Sequence, residues 1–253
     1  MSLNISPALI DTFLRQVQRH LVPDETMHQE NALGEHDLLR ARTNVSREEA
    51  QEMSAHIVAG VDYGDEITHL IVLGSLPEIS HDASILIHCE EIRAQGASEF
   101  SDVNRVAELA EQFHFDAIVD DPNGLGADRH RILIKLCAGI PVYGGLFDTA
   151  AYTRKDTEPA RPALKDDRII VPKVYAVRGV LRAIRNGRLL IRDQMNNLAT
   201  LEKHLSAMYI GVRSRGSYDV VQPSVEHRHD EDHYFSALIY ARLALWRIQN
   251  EKR

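Results

Sequence analysis

The chain has 253 residues, of which 44% are hydrophobic and 26% charged, with a formal net charge of −8. That length holds one full α/β domain plus a smaller appendage, and the composition is ordinary for a soluble globular protein. It excludes a membrane span, since no run approaches roughly 18 consecutive apolar residues, and MSLNISPALI lacks the basic start and apolar core of a signal peptide.

Residues 1–55 read as a helical extension and linker. Leu9, Ile10, Phe13, Leu14, Val17 and Leu21 recur at helical spacing behind a Ser6–Pro7 start. PDETMHQENALGEHD is polar and turn-rich, and Ser46 followed by Glu49 is a capping box. The pattern then changes to short apolar runs. HIVAGVDYG (56–64), HLIVLGSL (69–76) and ASILIHCEEI (83–92) predict three strands with linkers too short for helices, hence an antiparallel meander. SEFSDVNRVAELAEQF (98–113) predicts an amphipathic helix with Val103, Val106, Leu109, Ala110 and Phe113 on one face. FDAIVDD (115–121) predicts a buried strand, GADRHRILIKLC (126–137) a helix, and IPVYGGLF (140–147) a fifth strand. A helix near 173–186, a short LLIRD strand, and helices near 194–209 and 233–249 complete the order. Cys89 and Cys137 both lie in apolar runs, which predicts reduced core residues of a cytosolic protein rather than a disulfide.

The acidic total argues against a nucleic-acid partner, but the charge is unevenly distributed. From Arg161 to Arg192 nine Lys/Arg face only Asp166 and Asp167, so that segment is +7 and the remainder −15. Lys165, Arg168, Lys173, Arg178, Arg182, Arg185 and Arg188 are therefore candidates for a track along a DNA backbone. The plainer reading, a solvated helix face, stands beside it.

Three acidic patches lie far apart in the sequence, each opening or closing a regular element: Asp62, then Asp120–Asp121, then Asp230–Glu231–Asp232. Oxygen ligands gathered from several elements suit Mg²⁺ or Mn²⁺ rather than zinc, and a pair of such ions is a common device for cleaving phosphodiesters. Each patch alone has a structural explanation. Asp62 can be a turn residue, Asp120 and Asp121 can initiate an Asx turn, and one acid at a helix start is favoured by the helix dipole. Three successive acids repel one another unless a cation is near. Strand alternation puts Asp120 and Asp121 on opposite faces, so one of them reaches a shared site. His227, His229 and His233 flank the third patch without any cysteine, which argues against zinc. No GxxxxGK[ST] sequence occurs, so there is no P-loop.

The strand Asp in GVDYG, the Asp121–Gly124–Gly126 turn and the acidic helix start DEDHYFSALIYARLA together resemble the nuclease domain of viral (bacteriophage) large terminase subunits. The resemblance spans about residues 56–249 and implies an RNase H-like (retroviral integrase-type) α/β fold, a mixed five-stranded sheet flanked by helices, as a nuclease domain over 56–253. It implies a metal-dependent endonuclease that cuts concatemeric double-stranded DNA during genome packaging, with two Mg²⁺ or Mn²⁺ ions. By position, Asp62 would bridge the ions, with Asp121 and Asp232 as the other ligands. Asp120, Asp230 and Glu231 remain as alternates, because DED departs from the tighter Asp pair common in the family. The implied partners are an ATPase motor on another chain or a missing domain, a small terminase subunit and a portal, in the host cytoplasm. Alternatives are a Holliday-junction resolvase or RNase H-type nuclease, a silent packaging module, and a sugar-kinase-like ATP-binding protein. The last rests only on VDYGDEIT and lacks a second phosphate loop.

Overall fold

A computed structural model describes residues 32–93, 100–148, 162–215, 220–227 and 232–250. The amphipathic run at 9–21, the start of the helix expected from 98, and Arg161, His229, Asp230 and Glu231 lie outside the described residues.

The expected meander is present as β2 (Ile57–Tyr63), β3 (Ile67–Ser75) and β4 (Ser84–Arg93), paired antiparallel in chain order. β5 (Ala117–Asp120) and β6 (Val142–Asp148) add in parallel beyond β2. The sheet does not stop at five strands. β1 (Arg42–Thr43) and β9 (Leu189–Arg192) extend it past β4, while β8 (Arg168–Pro172) and β7 (Ala163–Lys165) extend it past β6. The nine strands run β1-β9-β4-β3-β2-β5-β6-β8-β7. β9 is the expected LLIRD strand, whereas β1, β7 and β8, two to five residues long, are too short to show a periodicity. A separate antiparallel hairpin, β10 (Met208–Arg215) with β11 (Val220–His227), also had no counterpart in the expected order.

Alternation along β2 sorts side chains onto two faces. Val58 joins one apolar core, with α5 (Lys173–Arg185), α6 (Leu198–Leu205) and α7 (His233–Asn250). Ala59, Val61 and Tyr63 join the other, with α3 (Ser101–Phe113) and α4 (Gly126–Leu136). The result is a sheet between two helical layers. Cys89 and Cys137 are free, buried, and in opposite cores, so they cannot bridge. α1 (Glu35–Ala41) and α2 (Arg47–Glu52) belong to the same body, because Leu33, Leu38 and Ala41 enter the first core and Ala50 and Met53 the second. Residues 32–53 thus add β1 to the sheet edge and pack apolar side chains into both cores. The capping box at α2 is formed, with Ser46 Oγ accepting from the Glu49 amide and Glu49 Oε2 accepting from the Ser46 amide.

α7 is apolar around most of its circumference, as a helix crossing a buried sheet face must be. It lies directly on β2. A Cβ at Gly60 would overlap the Ala237 carbonyl oxygen and the Ala241 amide nitrogen. This backbone-to-backbone crossing sets the start of α7 beside the end of β2, which is where the carboxylates meet.

Candidate active site

Asp62 lies two residues beyond Gly60 on the same face, pointing toward α7. It is 8% exposed, and its Oδ2 pairs with His233 Nδ1 at 2.8 Å. Asp232 immediately precedes α7, with its carbonyl accepting the Ser236 amide at 3.0 Å, the position of an N-cap residue. Its carboxylate pairs with His227 at 2.8 Å. Asp121 follows β5; its amide donates to the Val61 carbonyl, and its Oδ1 accepts the Asn123 amide and side chain, each at 2.9 Å. The Asx turn is therefore real, and it orients Asp121 rather than competing with a role in the site. Gly126 closes the turn, since a Cβ there would overlap the Asp121 carbonyl oxygen.

Asp62, Asp121 and Asp232 line one cleft of about 720 Å³, together with Asp148, Lys173, His233 and Tyr240. Three segments remote in sequence thus deliver carboxylates to one place. Asp148, the last residue of β6, is a further carboxylate that sequence reasoning missed. The available signal was the same as for Asp62 and Asp120: an acid terminating an apolar strand. Asp120 does not line the cleft. It is fully buried on the opposite face, with His130 Nδ1 at 2.7 Å and the Tyr63 hydroxyl donating at 3.3 Å. Strand alternation is the reason, because Asp120 shares the face of Val61 while Asp121 takes the next. Asp120 is therefore not positioned as a metal ligand of this cleft.

The cleft is strongly electronegative. Burial raises the Asp62 carboxyl above the usual carboxylate range, the His233 bond opposes this, and Asp121 and Asp232 add to the rise. Tyr240 in the same cleft is kept neutral by burial and then by Asp121, Asp62, Asp120 and Asp232. Among the described residues, no three His, Cys, Asp or Glu side chains close on a single point; the carboxylates line a shared cleft, with Asp62 and Asp232 each holding a histidine. The donor set nevertheless fits hard divalent cations. It is oxygen-rich, drawn from separate rigid elements, and the charges of Asp121 and Asp232 raise the proton affinity of Asp62.

A histidine wall backs Asp62. His69 sits opposite Asp62 in the β2–β3 register and stacks on His233, with centroids 4.9 Å apart at 11°. His204 lies 5.3 Å from His69, and its Nδ1 accepts the Tyr234 amide.

The expected basic stripe does not form one track beside the cleft. Only Lys173 lines it, with its ammonium 5.7 Å from the Phe147 ring. Lys165 and Arg168 are exposed on the far sheet edge. Arg178, Arg182 and Arg188 face a different cavity, and Arg185 pairs with Asp37 at 3.6 Å. Helical geometry explains the split. At about 100° per residue, Arg178, Arg182 and Arg185 fall roughly 120–180° around α5 from Lys173.

No protein-family model and no curated protein matches the chain. Among solved structures it is similar to the nuclease domain of the large terminase subunit gp2 of bacterial virus Sf6, at 12% identity and a TM-score of 0.51, covering 83% of this chain and 98% of that one. The same coverage and TM-score hold for mutant forms of that domain, one with manganese and beta-thujaplicinol at 13% identity and one with calcium at 12%. At such identities the likeness establishes the fold, which is RNase H-like as the sequence resemblance implied, with nine strands in the sheet rather than five.

Proposed function

We propose that this chain is a metal-dependent endonuclease that hydrolyses DNA phosphodiesters at the Asp62–Asp121–Asp232 cleft. The supporting observation is the meeting of three sequence-distant, element-terminal carboxylates in one electronegative cleft on an RNase H-like fold. Structures of similar domains with manganese and with calcium support divalent cations as the occupants. Two Mg²⁺ or Mn²⁺ ions, when bound, supply the positive charge that activates water and stabilises the leaving oxygen.

The chain's own residues have separable tasks. Asp62, Asp121 and Asp232 are the ligands, with Asp148 as an added carboxylate and Asp230 and Glu231 as candidates outside the described residues. His233 holds Asp62 in position. Lys173, the cation in the cleft wall, is placed to meet a DNA phosphate. Tyr240 keeps its proton and can donate a hydrogen bond. The substrate we propose is concatemeric double-stranded DNA during viral genome packaging, with an ATPase motor, a small terminase subunit and a portal as partners.

Mn²⁺-dependent nicking of supercoiled plasmid is the direct test. Asp62→Ala should lower the rate at least about a hundredfold, an effect of the size seen when a transition-state-stabilising group is lost, while circular dichroism stays unchanged. Full activity in that variant would sink the assignment. Parallel assays on linear duplex, a four-way junction and an RNA–DNA hybrid separate a packaging nuclease from a resolvase or RNase H.

A further inference from the structure

A second cavity, of about 600 Å³, opens between α5 and the C-terminal half of α7. It shares no lining residue with the carboxylate cleft, and its charge is opposite. Arg178, Arg182, Arg188 and Arg242 line it, and among the described lining residues the one acid is Asp82, which accepts Arg188 at 2.6 Å and the Ser80 hydroxyl at 2.9 Å. Arg242 projects from α7, and its guanidinium makes no hydrogen bond or ion pair among the described residues. Burial pushes it below the usual arginine range. Asp82 acts on it electrostatically but is already bonded to Arg188, so a partly buried guanidinium that shares its acid gains from an incoming anion. Tyr175 and Trp246 complete the wall.

We propose that this cavity is a binding site for a nucleoside monophosphate. The phosphate would be held by the Arg242 fork with Arg182 beside it, and the base would rest against Trp246 and Tyr175. Three features select this class. Guanidinium forks match phosphate oxygens in two-point geometry. Flat aromatic walls suit a base. The volume lies in the range of small-molecule sites and far exceeds what a bare phosphate fills. The site is independent of the nuclease reading.

Trp246 is the only tryptophan of the chain, so its fluorescence reports on this cavity alone. The full-length protein would be titrated with AMP, adenosine and inorganic phosphate, without added divalent ions. AMP is expected to change the emission and to bind at least about tenfold more tightly than either fragment, because both walls are used. Arg242→Gln should weaken AMP about tenfold to a hundredfold, as expected for loss of a charge-assisted pair, and leave Mn²⁺-dependent nicking unchanged. Should Arg242→Gln fail to fold, Arg182→Gln carries the test, with weaker AMP binding again expected. No emission change with AMP at millimolar concentration, equal binding of phosphate or adenosine, or unaltered AMP affinity in a folded variant each overturns the proposal.

Discussion

Adjacent acids can have unrelated tasks, and Asp120 with Asp121 separates them by one step of a strand. Asp121 faces the cleft, and in Asp121→Asn the Oδ1 acceptor of the Asx turn survives while the negative charge is lost. That variant should lose nicking with a stability change within about 0.5 kcal/mol. Asp120→Ala strands His130 in the opposite core and should cost about 3 kcal/mol in urea unfolding. If the two variants exchanged phenotypes, the assignment of faces would be wrong. His69 supports a pH prediction. Burial first, then His233 and His204, lowers it from the usual histidine value to about 3. Its folded-state pKa is depressed, so between about pH 6.5 and pH 3 the unfolded chain binds the extra proton and stability falls as pH falls. Stability should drop by about 2 kcal/mol from pH 7 to pH 5 on this account. Urea midpoints across that range would show it, and His69→Phe should remove this contribution from the slope.

At the scale of elements, one crossing places the site. α7 rests on β2 at Gly60, and a methyl group there meets backbone, which cannot rotate away. Gly60→Ala should therefore destabilise by about 3 kcal/mol or more, with thermal unfolding as the readout; a neutral result would mean that α7 does not sit so closely. This contact was not legible in the sequence, because a glycine within a strand has several readings. What was legible came from period and punctuation. The meander, α3, α4 and α5 carry strong apolar patterns over 7 to 13 residues. β1, β8 and β9 pair with strands distant in the chain, β7 pairs with β8 across a two-residue turn, and only the short LLIRD run could be recognised beforehand. The acids ending β2 and β5 were visible as punctuation, whereas Asp148, ending β6 by the same rule, was passed over. The basic run failed as a single track because a charge count along a helix ignores its angular spread.

For the molecule as a whole, the cleft and the fold are linked through charge. Asp62, Asp121 and Asp232 are held together by strands and a helix that pack regardless of their repulsion, so the folded chain carries an electrostatic cost that a cation would relieve. The unfolded chain separates the same residues and gains little from the ion. Linkage then requires a divalent cation to stabilise the fold, by about 2.7 kcal/mol at a hundredfold excess over its Kd. For a chain of this size that corresponds to a rise in Tm of about 5–10 °C. The rise should appear with Mn²⁺ and persist against sodium chloride of matched ionic strength, since general screening affects exposed charges more than buried ones. Asp62→Ala and Asp121→Asn should each remove most of it, while Asp120→Asn, altered on the opposite face, should keep it. Calorimetry of the four proteins with and without Mn²⁺ measures this without any DNA. An equal rise in wild type and Asp62→Ala would place the cation elsewhere and detach the metal from the cleft.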